Sequence, residues 1–292
     1  MTTSLFIVGS IKGGTTFLHD ALSRHPEIAM SRPKEPGFFA DAEFPASRVR
    51  SLDEYRAIFP VTPRTKVKGE ASVNNLYSQD AADRIHRFDP EARILISLRD
   101  PTDVIVSLHH HMVFHGHQPE PSLARALQGA SSASAESLFP WLRYYDVVKF
   151  AEQIDRYLAV FPRENVRIVL FDDVTRNIEG ELRTLLGWLG LDGSVRVDGV
   201  RQNERRDPRN LRLARWLRTP PSSIRTMGRL LPEGPKRTIA RTMKRWNASP
   251  AYRKREDDAI RRRLRSELAA EVTSLERVLD RSLAHWLPAE GV

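Results

Sequence analysis

Gly9-Ser10-Ile11-Lys12-Gly13-Gly14-Thr15-Thr16 lies between an apolar run at residues 5–8 (LFIV) and a helical pattern at residues 15–24, which stops before His25-Pro26. Strand, glycine-rich turn and helix in that order make an anion-binding loop. The backbone N–H groups and the helix N-terminus face the ligand, and glycines let the chain approach it closely. The nucleoside-triphosphate pattern G-x-x-x-x-G-K-[ST] fits at Gly9, Gly14 and Thr16. It fails at position 15, a threonine, while the lysine sits at position 12 inside the loop. A nucleotide kinase would therefore lack its phosphate lysine.

Working outward, strands are expected at 66–71, 93–98 (RILISL) and 166–171. Helices are expected at 81–88, 101–113 from Pro101, 141–161, 178–189 and 261–279, with Gly/Ser/Ala-rich loop at 116–134. Tyr144, Phe150, Ile154, Tyr157 and Leu158 recur at helical spacing and read as core. Strands alternating with helices imply an α/β three-layer sandwich around a mostly parallel sheet. Residues 1–292 are read as one domain, with 195–255 an irregular basic insertion.

With 40% apolar and 28% charged residues, the chain has the composition of an ordinary globular protein. It has no cysteine, which excludes disulfides, thiolate metal sites and a cysteine nucleophile. The start lacks a charged segment followed by an apolar core, and no window approaches ~18 consecutive apolar residues, so a cytoplasmic location is expected. The net charge is +9, but residues 201–265 carry 21 Lys/Arg and 6 Asp/Glu, leaving the rest near −6. Such a tract is either a solvated basic face or a funnel for a polyanion.

A second phosphate signal follows the clearest strand. Arg99-Asp100-Pro101 stands at the strand end, and Ser107 comes eight residues after Arg99, on the helix that Pro101 starts. A planar guanidinium suits bidentate phosphate recognition, and a helix serine can join it on one phosphate.

The loop around Lys12 resembles the 5′-phosphosulfate loop of sulfotransferases that use 3′-phosphoadenosine 5′-phosphosulfate (PAPS). Arg99 and Ser107 resemble that family's 3′-phosphate motif, although Val104 stands where a basic residue is frequent. Lys34-Glu35-Pro36 with Phe38-Phe39 resembles the KEP-x-F-F loop of bacterial and carbohydrate-type members, including the heparan N-sulfotransferase branch. Gly69-Glu70-Ala71-Ser72 with Tyr77, Phe161-Pro162 followed by residues 166–173, and residues 275–286 ending at Trp286 extend the likeness over most of the chain.

The resemblance implies a P-loop-like sulfotransferase fold. PAPS would be held by Lys12, Gly13, Gly14, Thr15, Thr16, Arg99 and Ser107, with no metal. Phe171, where a tyrosine is usual, would stack on adenine, and the triplet Arg253, Lys254 and Arg255 would complete the 3′-phosphate site. Lys12 would stabilise the leaving oxygen and Glu35 would be the general base. Lys34 would orient Glu35 or contact the sulfuryl group, and Glu70 is the alternative base. The implied acceptor is a small molecule, glycan or glycolipid.

His109, His110, His111, His115 and His117 include an i, i+4 pair with metal spacing, but no acidic third ligand stands at a matching interval; a histidine base is the other reading. The competing function classes are a P-loop nucleotide kinase and a basic nucleic-acid-binding protein. The second would interleave aromatics with its cations, and the tract has only Trp216, Trp246 and Tyr252, widely spaced. No nucleic-acid partner is expected.

Overall fold

Strand β1 (Thr3–Gly9) occupies the middle of a five-stranded sheet, and its last five residues are buried. The computed structural model describes residues 2–40, 49–132, 139–194, 207–208, 248–249 and 254–288. The strand order is β2-β3-β1-β4-β5, with β2 at Ile28–Met30, β3 at Val67–Ala71, β4 at Arg93–Leu98 and β5 at Val166–Leu170. Every neighbouring pair is parallel. A parallel sheet is covered on both faces, which is why the inner residues of β1 and most of β4 are apolar. The expected α/β architecture is therefore the observed one.

The two faces are built differently. On one, Leu5, Ile7, Val67, Leu95 and Val169 pack against Leu18 and Leu22 of α1 (Thr15–Leu22) and against Leu185 and Leu186 of α10 (Ile178–Trp188). The other face is aromatic. Phe6 meets Phe39 edge-on at 5.3 Å and Phe88 at 6.3 Å. Tyr55 stands 5.1 Å from Phe39 and 5.5 Å from Phe88. Edge-to-face contacts of this kind add about 0.5–1.5 kcal/mol each beyond area burial. Tyr55 comes from α2 (Leu52–Ala57), which Ser51 caps by accepting the Glu54 N–H, and Phe88 ends α4 (Ala81–Phe88). The short α3 (Asn74–Tyr77) lies between β3 and α4.

Strand β2 and helices α2 and α3 were not expected from the sequence, and four further segments depart from the expectations. Residues 141–161 are not one helix. A 3-10 turn at Pro140–Leu142 leads to α7 (Tyr144–Val147), then α8 (Phe150–Leu158). Lys149 takes a non-helical ψ of 63°, and the Gln153 amide donates to the carbonyls of Asp146 and Val147, ending α7. Residues 116–134 contain α6 (Leu123–Ser132), because Leu123, Ala126 and Leu127 form a buried stripe among good helix formers. Phe171 is not the last residue of a strand but the first of α9 (Phe171–Arg176), where Asp172 and Asp173 favour a helix N-terminus. The final helix is two, α11 (Lys254–Glu267) and α12 (Ala269–Leu279), separated at Leu268.

The chain divides into two compact units. The first comprises residues 1–104, 145–202 and 268–292 and contains the parallel sheet. In it α12 packs on α8, with Glu271 accepting the Ala151 N–H at 2.8 Å. The second comprises 105–144 and 203–267. It holds most of α5 (Pro101–Phe114), α6, α11 and the antiparallel pair β6 (Asp207–Pro208) and β7 (Ala248–Ser249). Of the expected basic insertion, only these two short strands and the start of α11 lie within the described residues.

Candidate active site

The carboxyl ends of β1, β3, β4 and β5 are where an open α/β sheet binds ligands, and the expected residues of the first unit gather there. The β1 loop is folded onto β4. Ser10 N donates to the Ser97 carbonyl at 2.9 Å, Gly13 N to the Ser10 carbonyl at 2.9 Å, and Ser97 Oγ to the Gly13 carbonyl at 2.5 Å. A Cβ at Gly13 would lie 2.3 Å from Ser10 Oγ, so only glycine lets the loop close on the sheet. Lys12 is exposed and left-handed, with φ 66°. Holding a lysine there costs of order 1–3 kcal/mol, so the rest of the loop imposes its conformation. Gly14 caps α1 with φ 89° and offers no side-chain acceptor to the first N–H groups of the helix. No acidic residue stands in that first turn, so the helix end remains suited to an external anion. Thr15 is buried, and Thr16 is exposed on the same turn.

Arg99 and Phe171 are built against this loop. The Phe171 ring covers Gly14 so closely that a Cβ there would sit 2.3 Å from it. The Arg99 guanidinium lies over the same ring, with Cζ 5.6 Å from its centroid. Phe171 is thereby placed as a floor between the helix N-terminus and the arginine. Arg99 Nη2 donates to Asp103 Oδ2 at 2.6 Å, while its buried Nε has no hydrogen-bond partner. Asp100 Oδ1 accepts from Thr102 N at 2.8 Å, so the Arg-Asp-Pro sequence both ends β4 and caps α5. Ser107 is buried on α5, within the second unit, as is most of that helix. Arg253 lies outside the described residues, as do the side chains of Lys254 and Arg255; the backbone of those two opens α11.

The Lys34-Glu35 loop is tied to the end of β3 by the Glu35 N–H, which donates to the Ala71 carbonyl at 3.2 Å. Glu35 has a left-handed φ of 59° and a half-exposed carboxylate; Lys34 Nζ donates to its Oε1 at 2.5 Å. Glu70 differs from it in every respect. It lies on β3 opposite Phe6, is 1% exposed, and accepts a hydrogen bond from Asn75 Nδ2 at 2.8 Å. Burial pushes its carboxyl up to about 7, while Asn75, the Tyr55 and Ser72 hydroxyls and the Lys34 charge act against the rise.

The folded state holds the proton more tightly than the unfolded chain, so Glu70 removes stability as pH rises from about 4.5 to about 7. Glutamine mimics the neutral form. The stability of Glu70→Gln minus that of the wild type is expected to grow by roughly 3 kcal/mol between pH 4.5 and 8, as read from urea unfolding at the two pH values. A difference independent of pH would refute the assignment.

Several contributors were not legible beforehand. Ser97 latches the loop through one hydroxyl, and nothing in RILISL marks it. Trp286 Nε1 donates to Asp172 Oδ2 at 3.3 Å, and Arg281 pairs with Asp173, so the C-terminal segment holds the turn that carries Phe171. The Arg281 pairing keeps the Asp173 carboxyl below its usual range. The histidine cluster belongs to the second unit. His109 is buried between the Tyr144 hydroxyl at 3.0 Å and the Pro121 carbonyl at 3.1 Å, a packing role. His111 and His115 rings lie 4.3 Å apart. Among the described residues no three metal-ligating side chains gather, and no helix is long and apolar enough to cross a membrane.

A family model described as "Sulfotransferase domain" matches residues 2–207. The mouse (Mus musculus) bifunctional heparan sulfate N-deacetylase/N-sulfotransferase 3 is 30% identical over 173 residues, covering 56% of this chain and 19% of that protein. Mouse heparan sulfate glucosamine 3-O-sulfotransferase 6 is 27% identical over 188 residues, covering 63% and 51%. The chain therefore spans about half the length of these relatives, or less. A crystal structure of a sulfotransferase from Alicyclobacillus acidocaldarius superposes with a TM-score of 0.72 at 25% identity, covering 98% of this chain and 99% of that one. With its parallel sheet and a family match over most of its length, the chain belongs to the sulfotransferase domain family.

Proposed function

We propose that the chain transfers the sulfuryl group of PAPS to a hydroxyl or amine of a carbohydrate, glycolipid or small-metabolite acceptor. The observation that carries this reading is the left-handed Lys12 beside the N-terminus of α1, which has no side-chain cap, with Arg99 over the Phe171 ring that seals Gly14. The residues fit the donor. Open helix N–H groups and Lys12 suit the 5′-phosphosulfate, and the unpartnered Nε of Arg99 suits a second phosphate.

When bound, PAPS supplies the sulfuryl group and leaves as adenosine 3′,5′-bisphosphate. Lys12 stabilises the charge that develops on the leaving oxygen. Glu35, on the exposed loop at the end of β3, takes the acceptor's proton, and Lys34 fixes the direction of its carboxylate. Phe171 holds Arg99 and the loop at a set spacing. The relatives named for heparan sulfate support a sugar hydroxyl or amine as the acceptor.

Calorimetry with adenosine 3′,5′-bisphosphate tests the donor. The wild type is expected to bind, and Arg99→Ala to bind about 10–100-fold more weakly. No detectable binding at millimolar ligand by a folded sample would sink the proposal. A screen of sugars, glycolipids, phenols and amines with labelled PAPS then identifies the acceptor.

A further inference from the structure

The aromatic layer over one face of the sheet stops at Phe6. The preceding residues on that face of β1 are Ser4 and Thr2. Their side chains are short, and a cavity of about 250 Å³ stands beside them. Its floor is Phe6 and Tyr55, 1% and 2% exposed. Both rings are fixed by edge-on contacts with Phe39 and Phe88, so the floor is rigid before anything binds. Phe88 and Phe59, both half-buried, supply apolar walls, and Phe59 meets Tyr55 edge-on at 5.4 Å.

The mouth is cationic. Lys68 lies opposite Ser4 in the β1–β3 register and Arg56 comes from α2; both are exposed. Among the described residues no carboxylate lines the cavity. Arg56 pairs with Asp53 at 3.9 Å, but both side chains are exposed, and such a pair is weak. Leu52 and Val61, on α2 and just after it, are large apolar residues left exposed. An aromatic floor under two cations is the complement of a ring that carries one negative charge. Ring packs on ring, and the guanidinium and ammonium take the anion. The volume is below that of sites for drug-sized ligands, so the occupant is small. Ser4 precedes Gly9 by five residues, about 16 Å of strand, which separates this cavity from the Lys12 loop at the carboxyl end of β1.

We propose that this cavity is a second ligand site, for a small aromatic monoanion such as an aryl carboxylate, at the opposite end of the sheet from the Lys12 loop. Lys68 and Arg56 hold the anionic group. The ring rests on Tyr55 and Phe6, between Phe59 and Phe88. No group is transferred there, and the site does not depend on the reading of the chain as a PAPS-dependent enzyme.

Ligand-observed ¹H NMR titration of the full chain with 2-naphthoate tests the site. A dissociation constant of about 0.1–1 mM is expected for an occupant of this size. Lys68→Ala and Arg56→Ala should each weaken binding about tenfold, and both are surface changes that leave the fold in place. The uncharged isostere 2-naphthamide should bind the wild type about tenfold more weakly than 2-naphthoate, and Lys68→Ala should bind the amide as the wild type does. Saturating adenosine 3′,5′-bisphosphate, and separately Arg99→Ala, should leave naphthoate affinity within about twofold. Absence of naphthoate binding by a folded sample would overturn the proposal, as would equal affinity in the wild type and both cation variants. Displacement of naphthoate by the bisphosphate would place it in the donor site and overturn the proposal as well. Should a cation variant fail to fold, equal binding of naphthoate and naphthamide by the wild type would be the refuting result.

Discussion

Lys12→Ala is expected to lower turnover by about 10²–10³-fold, with affinity for adenosine 3′,5′-bisphosphate changed by less than about tenfold. The asymmetry follows from where Lys12 sits. The loop conformation is set by Ser10 and Gly13 hydrogen bonds to one another and to Ser97, and by Gly14 against Phe171, none of which uses the lysine side chain. Alanine leaves those contacts and the N–H groups of α1 in place, so most of the proposed bisphosphate site is retained. On the proposed function, the lysine charge acts when the sulfur–oxygen bond breaks and the leaving oxygen becomes anionic. A group whose interaction strengthens in the transition state lowers kcat more than it weakens binding. Labelled PAPS turnover and calorimetry on the same preparation measure both quantities. An affinity loss as large as the rate loss would make Lys12 a binding residue only.

Glu35→Gln is expected to lower kcat by about 10²–10⁴-fold while leaving bisphosphate affinity near that of the wild type. Glutamine keeps the length and the polar end of the side chain, and the backbone N–H of residue 35 can still bond to Ala71. What disappears is the capacity to accept a proton. The structure gives a clear contrast with the alternative base: Glu35 is half-exposed on a loop, whereas Glu70 is sealed behind Asn75, Tyr55 and Ser72. A base must reach its substrate's proton, and a residue 1% exposed does not meet a bulky acceptor. Unchanged kcat in Glu35→Gln would remove it as base.

The two glutamates also mark how far local sequence carries. Glu35 is legible from the Lys-Glu-Pro-x-Phe-Phe run. In Gly-Glu-Ala-Ser the glutamate of a strand gives no sign of which face it occupies. Register decides that: Phe6 pairs with Glu70, and burial on that face raises the carboxyl's proton affinity. Helix breaks were illegible for a similar reason. The periodicity of residues 141–161 is helical throughout, but the Gln153 amide satisfies the carbonyls that a continuous helix would have used.

Strands β1, β3, β4 and β5, the glycine spacing of Gly9–Thr16 and the displaced lysine were readable from the chain, because each depends on residues adjacent in sequence. Hydrophobic period selects strand or helix, and glycine spacing selects the turn. The placement of Phe171 under Arg99 and against Gly14, the Ser97 latch and the Trp286 brace on Asp172 required the tertiary structure. Each joins segments about 70 or more residues apart, and a contact at that separation is fixed by how the parallel sheet orders its strands. No local pattern encodes it. The glycine-rich loop was thus a property of eight consecutive residues, while what surrounds it is a property of the fold.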